Sequence, residues 1–303
     1  PGLLIGLHAL FLAITLWVVR HGVTKGIERA SKWMMPLLFL SLVVLMIYGI
    51  WQGDFKAGWN FLFAFDARYL TSEVLIAAMG HAFFTLAVGA GAMLVYGAYL
   101  PPTVPLASTV TAIAILDAGI AFMAGLAIFP LVFAHGLTPE AGPGLMFKVL
   151  PIALMNMPFG QWIGVLFFVL LLFAAWTSSI SMAEPLVMIA TERFGWSRLK
   201  AAWAIGIITF ILGVTVALSF NVWSHIQFLG RYGIFDMMTD IPTNILLPIG
   251  GLGFTLFTLW CIPAKTLKSA LGVHSFFQKL WWLVTRYISP LGIFLVLIYS
   301  LRW

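Results

Sequence analysis

Asp117 sits in Ile113-Ala114-Ile115-Leu116-Asp117-Ala118-Gly119, in the middle of a long apolar stretch. A carboxylate at membrane depth is costly and implies an ion, a proton or a buried partner. A protonated Asp bonded to a neighbour is the alternative. A second cluster, Ala174-Ala175-Trp176-Thr177-Ser178-Ser179-Ile180-Ser181, places Thr177, Ser178, Ser179 and Ser181 in an otherwise apolar segment. On a helix Thr177 and Ser181 share a face. Hydroxyl and carbonyl oxygens are hard ligands and suit a small hard cation better than a transition metal. Hydrogen bonding between helices by the same hydroxyls is the competing reading. Glu184 precedes Pro185, which frees a carbonyl one turn earlier, near Ser181. A third stretch carries Gly80, Gly89 and Gly91. Glycine lets a helix unwind and a ligand approach the backbone. Unwound backbone is tolerated at membrane depth only where protein or a cavity surrounds it. Freed carbonyls there can hold a cation, and a half-helix N-terminus can face a carboxylate. Close helix packing is again the alternative.

No enzymatic chemistry competes with these clusters. The sequence has no HExxH, GxSxG or Walker-type loop and no paired-Cys metal spacing. Its single cysteine, Cys261, reads as a small hydrophobe. His8 and His81 show no metal-ligand spacing and read as packing residues.

The elements that position these residues are membrane helices. Of 303 residues, 62% are hydrophobic and 9% charged, against roughly 25% charged in a soluble domain. Such a chain cannot cover its own surface, whereas lipid can. Continuous apolar runs of about 18 residues or more match the length of a transmembrane helix and not the alternation of a β-barrel strand. The runs predict spans over 3–19, 34–51, 74–100, 103–134, 160–191, 201–220, 241–262 and 286–303. Trp33, Trp51, Trp59, Trp162, Trp196, Trp223, Trp281 and Trp282 fall near span ends, where amphipathic rings settle at headgroup level. Pro1, with no Met and no basic targeting region, reads as the edge of an internal piece of a longer protein.

Charge sets the orientation. Arg20, Lys25, Arg29 and Lys32, then Arg193, Arg198 and Lys200, then Lys265, Lys268, Lys279 and Arg286 fall on one side if the spans alternate. Lys56, Arg68, Lys148, Arg231 and Arg302 fall on the other, together with Asp54, Asp66, Glu73, Glu140, Asp236 and Asp240. The basic side is cytoplasmic. The net charge of +6 is therefore a topology signal and implies no nucleic-acid partner.

Four segments resemble the neurotransmitter:sodium symporter family, and its prokaryotic branch most, because the loops are short. Residues Gly80-His81-Ala82-Phe83-Phe84-Thr85-Leu86-Ala87-Val88-Gly89-Ala90-Gly91-Ala92-Met93 resemble its sixth helix, and Ala174-Ala175-Trp176-Thr177-Ser178-Ser179 its eighth. Lys25-Gly26-Ile27-Glu28-Arg29 resembles the loop between helices four and five, and Arg286-Tyr287-Ile288-Ser289-Pro290 the start of the eleventh. The resemblance implies an all-α polytopic membrane protein with the inverted-repeat sodium symporter (LeuT-like) fold. It implies a partial chain corresponding to helices four to eleven, with the N-terminal part missing. Residues 1–73 would then hold the end of the first inverted repeat (helices four and five) and an outer loop. Residues 74–262 would hold the second repeat (helices six to ten), and 263–303 a cytoplasmic loop and helix eleven. The missing N-terminal helices of the same protein would be a partner, alongside the amino acid substrate and the lipid bilayer.

The resemblance also implies roles. Ala174, Thr177 and Ser178 correspond to one sodium site, Thr85 and Asp117 to another, giving two Na+ in the full-length protein. Phe84 corresponds to an aromatic lid over the substrate, Ala87, Ala90, Ser179 and Met182 to pocket lining, and Asp240 to an outer gate acid. Glu184 takes a structural position. Chloride-binding members need a serine or an acid one turn beyond Asp117; here that residue is Ala121, which counts against a chloride site. Members that take small aliphatic amino acids carry a bulky aromatic at the position of Ala90, so a large hydrophobic or aromatic substrate is implied. The expected activity is sodium-coupled symport by alternating access in a bacterial or archaeal plasma membrane, and not catalysis. A non-transporting helical scaffold or regulatory subunit is the alternative.

The charge bias makes one direct prediction. In the full-length protein, cysteines placed at Ser31 and at Asp54 are labelled from opposite sides of the membrane. Labelling of both from one side refutes the orientation.

Overall fold

The computed structural model describes residues 2–101, 103–139, 143–228, 232–271 and 275–300. Glu140, Arg231 and Arg302, which enter the charge bias, lie outside the described residues. Hydrocarbon offers backbone N–H and C=O groups no partner, so a chain this apolar satisfies them inside helices. These are α1 (Gly2–Val19), α2 (Glu28–Gln52), α3 (Phe55–Phe63), α4 (Ser72–Thr85), α5 (Ala92–Ala98), α6 (Leu106–Ala134) and α7 (Leu150–Met155). They continue as α8 (Gly160–Phe194), α9 (Arg198–Ser219), α10 (Ile234–Ile241), α11 (Leu247–Cys261), α12 (Ala264–Leu271), α13 (Ser275–Leu283) and α14 (Ser289–Ser300).

Among the described residues, seven helical stretches are long and apolar enough to cross a membrane: Gly2–Val19, Lys25–Gln52, Leu106–Ala134, Gly160–Phe194, Arg198–Ser219, Ile234–Cys261 and Gln278–Ser300. No more than 22% of the residues in any apolar window are buried by the described residues. The molecule is a multi-pass membrane protein. The sequence predicts eight continuous spans, and the third is the exception. Residues 74–100 form α4 and α5, with a turn over 86–91 between them. Ala87 (φ +50°), Gly89 (φ +93°) and Gly91 (φ +83°) all adopt left-handed backbone there, which no α-helix accommodates. The seventh span starts earlier than predicted, at Ile234, because a π-helical turn over Pro242–Leu246 absorbs a proline that would otherwise end the helix. The first described helix, α1, is itself of span length and buries Leu12, Thr15, Val18 and Val19.

Internal contacts group the residues into two compact units. The first comprises Pro1–Gly26, Arg68–Ala114 and Ile180–Trp303. Within it α1 packs on α9, and α11 and α4 pack on α14. Small residues make the α1–α9 approach close: Gly206 lies under Leu16, and Gly213 lies under His8, whose ring stacks on Phe210 at 5.5 Å. An ion pair ties three helices together in this unit. Glu184 of α8 is fully buried. Arg198, the first residue of α9, donates to both its carboxylate oxygens, at 3.0 and 2.6 Å. The same guanidinium donates to the Val19 carbonyl at the end of α1, at 2.7 Å. Ser197 caps α9 by accepting from the Lys200 N–H, which fixes the backbone from which Arg198 projects.

The second unit comprises Ile27–Ala67 and Ile115–Ser179. Its core holds Leu42, Leu45, Ala127, Leu131, Leu150, Leu154 and Phe167. Glycine again sets the spacing. A Cβ on Gly49 would stand 2.7 Å from the Ala127 carbonyl oxygen and 2.9 Å from that of Leu126. Gly58 lies against the ring of Pro130, and the Asp54 N–H donates to the Pro130 carbonyl at 2.9 Å. Asp54 also caps α3 through the Ala57 N–H. Without a hydrophobic force between helices in lipid, such close contacts and internal hydrogen bonds supply the association.

The buried ion pair makes a stability prediction. Arg198→Met leaves the Glu184 carboxylate buried and unpaired, a loss of about 3–5 kcal/mol. Glu184→Gln in the same chain removes the charge and recovers most of that loss. Thermal unfolding of the detergent-solubilised full-length protein compares the two variants. A double variant no more stable than Arg198→Met refutes the pairing.

Candidate ion and substrate site

The break between α4 and α5 is built from the backbone upward. Thr85 closes α4, and its hydroxyl donates to the Ala82 carbonyl at 3.4 Å. Regular hydrogen bonding then gives way: Ala87 N–H reaches Phe84 at 3.0 Å, Val88 N–H reaches Phe83 at 3.0 Å, and Ala90 N–H reaches Ala87 at 3.2 Å. Gly91 restarts the helix as the N-cap of α5. A left-handed alanine costs roughly 1–2 kcal/mol, so something must hold Ala87 there. The hold is visible at Gly89, which lies backbone to backbone against α11. A Cβ at that position would collide with the Leu247 carbonyl and stand 2.7 Å from the Gly251 nitrogen. Gly91 lies against Pro185 of α8, 3.6 Å from where its own Cβ would be. On the far side of the break, the Tyr96 hydroxyl donates to Ser181 Oγ at 2.7 Å.

The expected site residues distribute over both units. Phe84, Thr85, Ala87, Ala90, Met182 and Asp240 belong to the first; Asp117, Ala174, Thr177, Ser178 and Ser179 belong to the second. Ala87 and Ala90 lie in the turn and are half-buried, while Phe84, Thr85, Met182 and Asp240 are exposed. Phe84 and His81 line a cavity of about 360 Å³ with Thr243, Asn244, Pro248 and Tyr299, all within the first unit. In the second unit the Thr177 hydroxyl donates to the Ala174 carbonyl at 2.9 Å. Both oxygens therefore lie on one turn of α8. The bond uses the hydroxyl proton, so a cation binding both oxygens would displace that proton from the carbonyl. Asp117 is half-buried in α6. Among the described residues, no group of three or more His, Cys, Asp or Glu is arranged to hold a metal. The oxygens on offer are neutral hydroxyls and carbonyls, with isolated acids, a set that favours a hard cation over a transition metal.

Three arrangements escaped the sequence reading. Glu184 was assigned a structural position without a partner; the signal for Arg198 was a lone acid near the end of one apolar run and a basic residue at the capped start of the next. The Tyr96–Ser181 bond joins residues 85 positions apart and left no local signal. His81, read as packing, lines a cavity with Asn244; two polar residues inside apolar runs were the available clue.

Known proteins share this architecture. The profile of the sodium:neurotransmitter symporter family matches residues 3–302. An uncharacterized sodium-dependent transporter of Bacillus subtilis, YhdH, is 37% identical over 94% of this chain and 64% of its own length. An uncharacterized sodium-dependent transporter of Haemophilus influenzae is 31% identical over 96% of this chain and 64% of its own length. The crystal structure of MhsT in complex with L-phenylalanine superposes with a TM-score of 0.88 at 39% identity, covering 98% of this chain and 68% of that one. The chain thus spans somewhat under two thirds of the curated relatives' length. These matches correct the reading of a partial chain limited to helices four to eleven with its N-terminal part missing. The family profile and the solved relative take in the chain essentially end to end, from within α1 onward. The same end-to-end match gives no support to N-terminal helices as a separate partner. A broken helix packed backbone to backbone, a hydroxyl-rich helix and an end-to-end profile match converge on one assignment: the chain belongs to the sodium:neurotransmitter symporter family.

Proposed function

We propose that the protein is a sodium-coupled symporter of a large neutral amino acid, hydrophobic or aromatic, that works by alternating access. The observation that carries the reading is the interrupted helix at 86–91, held in left-handed backbone by α11. Interruptions of this kind expose carbonyls and a half-helix N-terminus, which serve a cation and a substrate carboxylate. Family membership and the sodium dependence named for the relatives support the cation. Substrate size follows from Ala90, which leaves room where a bulky side chain would fill the wall, and the solved relative was crystallised with L-phenylalanine. An unpaired charge on an apolar wall would be poorly tolerated, which disfavours Lys or Glu as substrate.

Within this reading the Ala174 carbonyl, Thr177 and Ser178 hold one sodium ion, and Thr85 and Asp117 contribute to a second. Phe84 acts as the lid, Ala87, Ala90, Ser179 and Met182 line the substrate, and Asp240 gates the outer side. Asp117 supplies the fixed negative charge, with Ala121 leaving no chloride ligand. The division into repeats at 73 and 262 belongs to the same reading. Lipid and the amino acid are the partners.

Full-length protein in proteoliposomes is expected to take up labelled L-phenylalanine with a sodium gradient and not without one. Sodium independence for every amino acid tested refutes symport. Ala90→Phe is expected to move competition toward small substrates; an unchanged profile removes Ala90 as the size determinant. Thr177→Ala leaves a dehydrated cation short of one oxygen, on the scale of about 1–3 kcal/mol for an unsatisfied buried group. The sodium concentration for half-maximal uptake should rise by roughly tenfold or more on that scale. An unchanged sodium midpoint assigns the hydroxyl to packing.

A further inference from the structure

The chain between its last two spans has a composition unlike the rest. No Asp or Glu follows Asp240, while Lys265, Lys268, Lys279 and Arg286 do. These cations have no acid in their own segment to neutralise them. Lys265, Lys268 and Lys279 are exposed. The segment folds as α12 and α13, two short helices joined where the Gln278 carboxamide donates to the Lys268 carbonyl at 3.4 Å. A groove of about 370 Å³ runs along them, lined by Leu267, Lys268, Leu271, Lys279, Trp281 and Trp282. Its floor is aliphatic and indole carbon, with Leu271 buried. The two indoles stand 6.4 Å apart. Two lysines, Lys268 and Lys279, are among the residues that line the groove.

Connectivity fixes its depth. The preceding span ends at Cys261, α12 begins at Ala264, and the following span begins at Gln278, inside the groove's own lining. The groove therefore lies at the bilayer surface. Trp281 and Trp282 are the residue type that settles at headgroup level. The excess of lysines in this connection marks the cytoplasmic side, whose leaflet carries anionic lipids.

We propose that the α12–α13 groove binds the headgroup of an anionic phospholipid of the inner leaflet. Lys268 and Lys279 hold the phosphate, and Leu267, Leu271, Trp281 and Trp282 receive the adjoining acyl carbons. A free anion would be served by the two ammonium groups alone; the apolar floor and its place beside two spans specify a lipid. The assignment is independent of what the protein transports. Binding would anchor the connection between α11 and α14 to the membrane surface.

The test uses purified full-length protein in detergent, with lipid binding counted by native mass spectrometry. The probes are dioctanoyl phosphatidylglycerol, dioctanoyl phosphatidylcholine and inorganic phosphate. Phosphatidylglycerol is expected to bind more tightly than phosphatidylcholine and to resist competition by inorganic phosphate. Lys268→Gln with Lys279→Gln should weaken it by about 25-fold, or about fivefold per lysine, the ratio for ~1 kcal/mol per basic residue at an anionic surface. Lys268→Arg with Lys279→Arg should keep it. Lys25→Gln with Lys32→Gln removes the same charge elsewhere and should leave it unchanged. If the double glutamine variant does not purify as a single species, Lys279→Gln alone is read at about fivefold. The proposal is overturned by equal binding of phosphatidylcholine, by displacement with inorganic phosphate, by no loss in the groove variants, or by an equal loss in the Lys25/Lys32 variant.

Discussion

Every backbone polar group in hydrocarbon needs a partner from the protein itself, and the rest of this structure follows from how that demand is met. Continuous helices meet it internally, which is why most of the described spans are plain. The turn over 86–91 cannot meet it that way. It survives because α11 and α8 press against it through Gly89, Gly91 and Pro185. The glycines have two uses there: they permit the left-handed backbone, and they let the covering helix come within backbone contact. A side chain at Gly89 would fail on both counts.

A second demand concerns charge. Glu184 is the buried acid of α8, and a carboxylate without water or a partner would be untenable there. Arg198 answers it from the start of the next helix and, with its remaining reach, takes the carbonyl of Val19. One guanidinium thereby closes the open end of α1 and neutralises α8. The unit has few alternatives for holding these two helix ends to α8, since α1 and α9 otherwise meet through small residues and a stacked histidine.

How much of this could be read from residues alone depends on the range of the interaction. Most helices came from runs of apolar residues, because lipid imposes a length and a composition that need no knowledge of neighbours, but the second, seventh and eighth spans begin before those runs, at Lys25, Ile234 and Gln278. The glycines of the third span and the hydroxyls of the fifth were visible as types out of place in apolar runs. What they do was left divided between packing and binding, since a Gly or a Ser serves both. The break itself was foreseen only as a capacity; its location over 86–91 needed α11, whose Leu247 lies far along the chain. The partners of Glu184 and Ser181 were hidden for the same reason: Arg198 and Tyr96 approach from other helices, and no local pattern encodes that approach. The predicted spans also missed the early start at Ile234, because Pro242 reads as a helix stop unless a π-helical turn can be anticipated.

Helix α8 runs for 35 residues, about 52 Å at 1.5 Å per residue. The hydrocarbon layer is about 30 Å thick. Tilting alone does not reconcile the two, since even a lean of about 40°, the upper end of what such helices adopt, still leaves about 40 Å along the normal. Some 10 Å or more must therefore project into the headgroups or the water beyond. Glu192 and Arg193, at the last turn, mark which end projects. Counting back from them, Glu184 falls near the boundary of the oil and not at its centre. Its seclusion is therefore owed to protein packed around it at a depth where lipid would have let water in. A helix of this length acts as a post fixed in two media, so a change in bilayer thickness would be felt first where α8 leaves the membrane, at the ends of α1 and α9 that it holds.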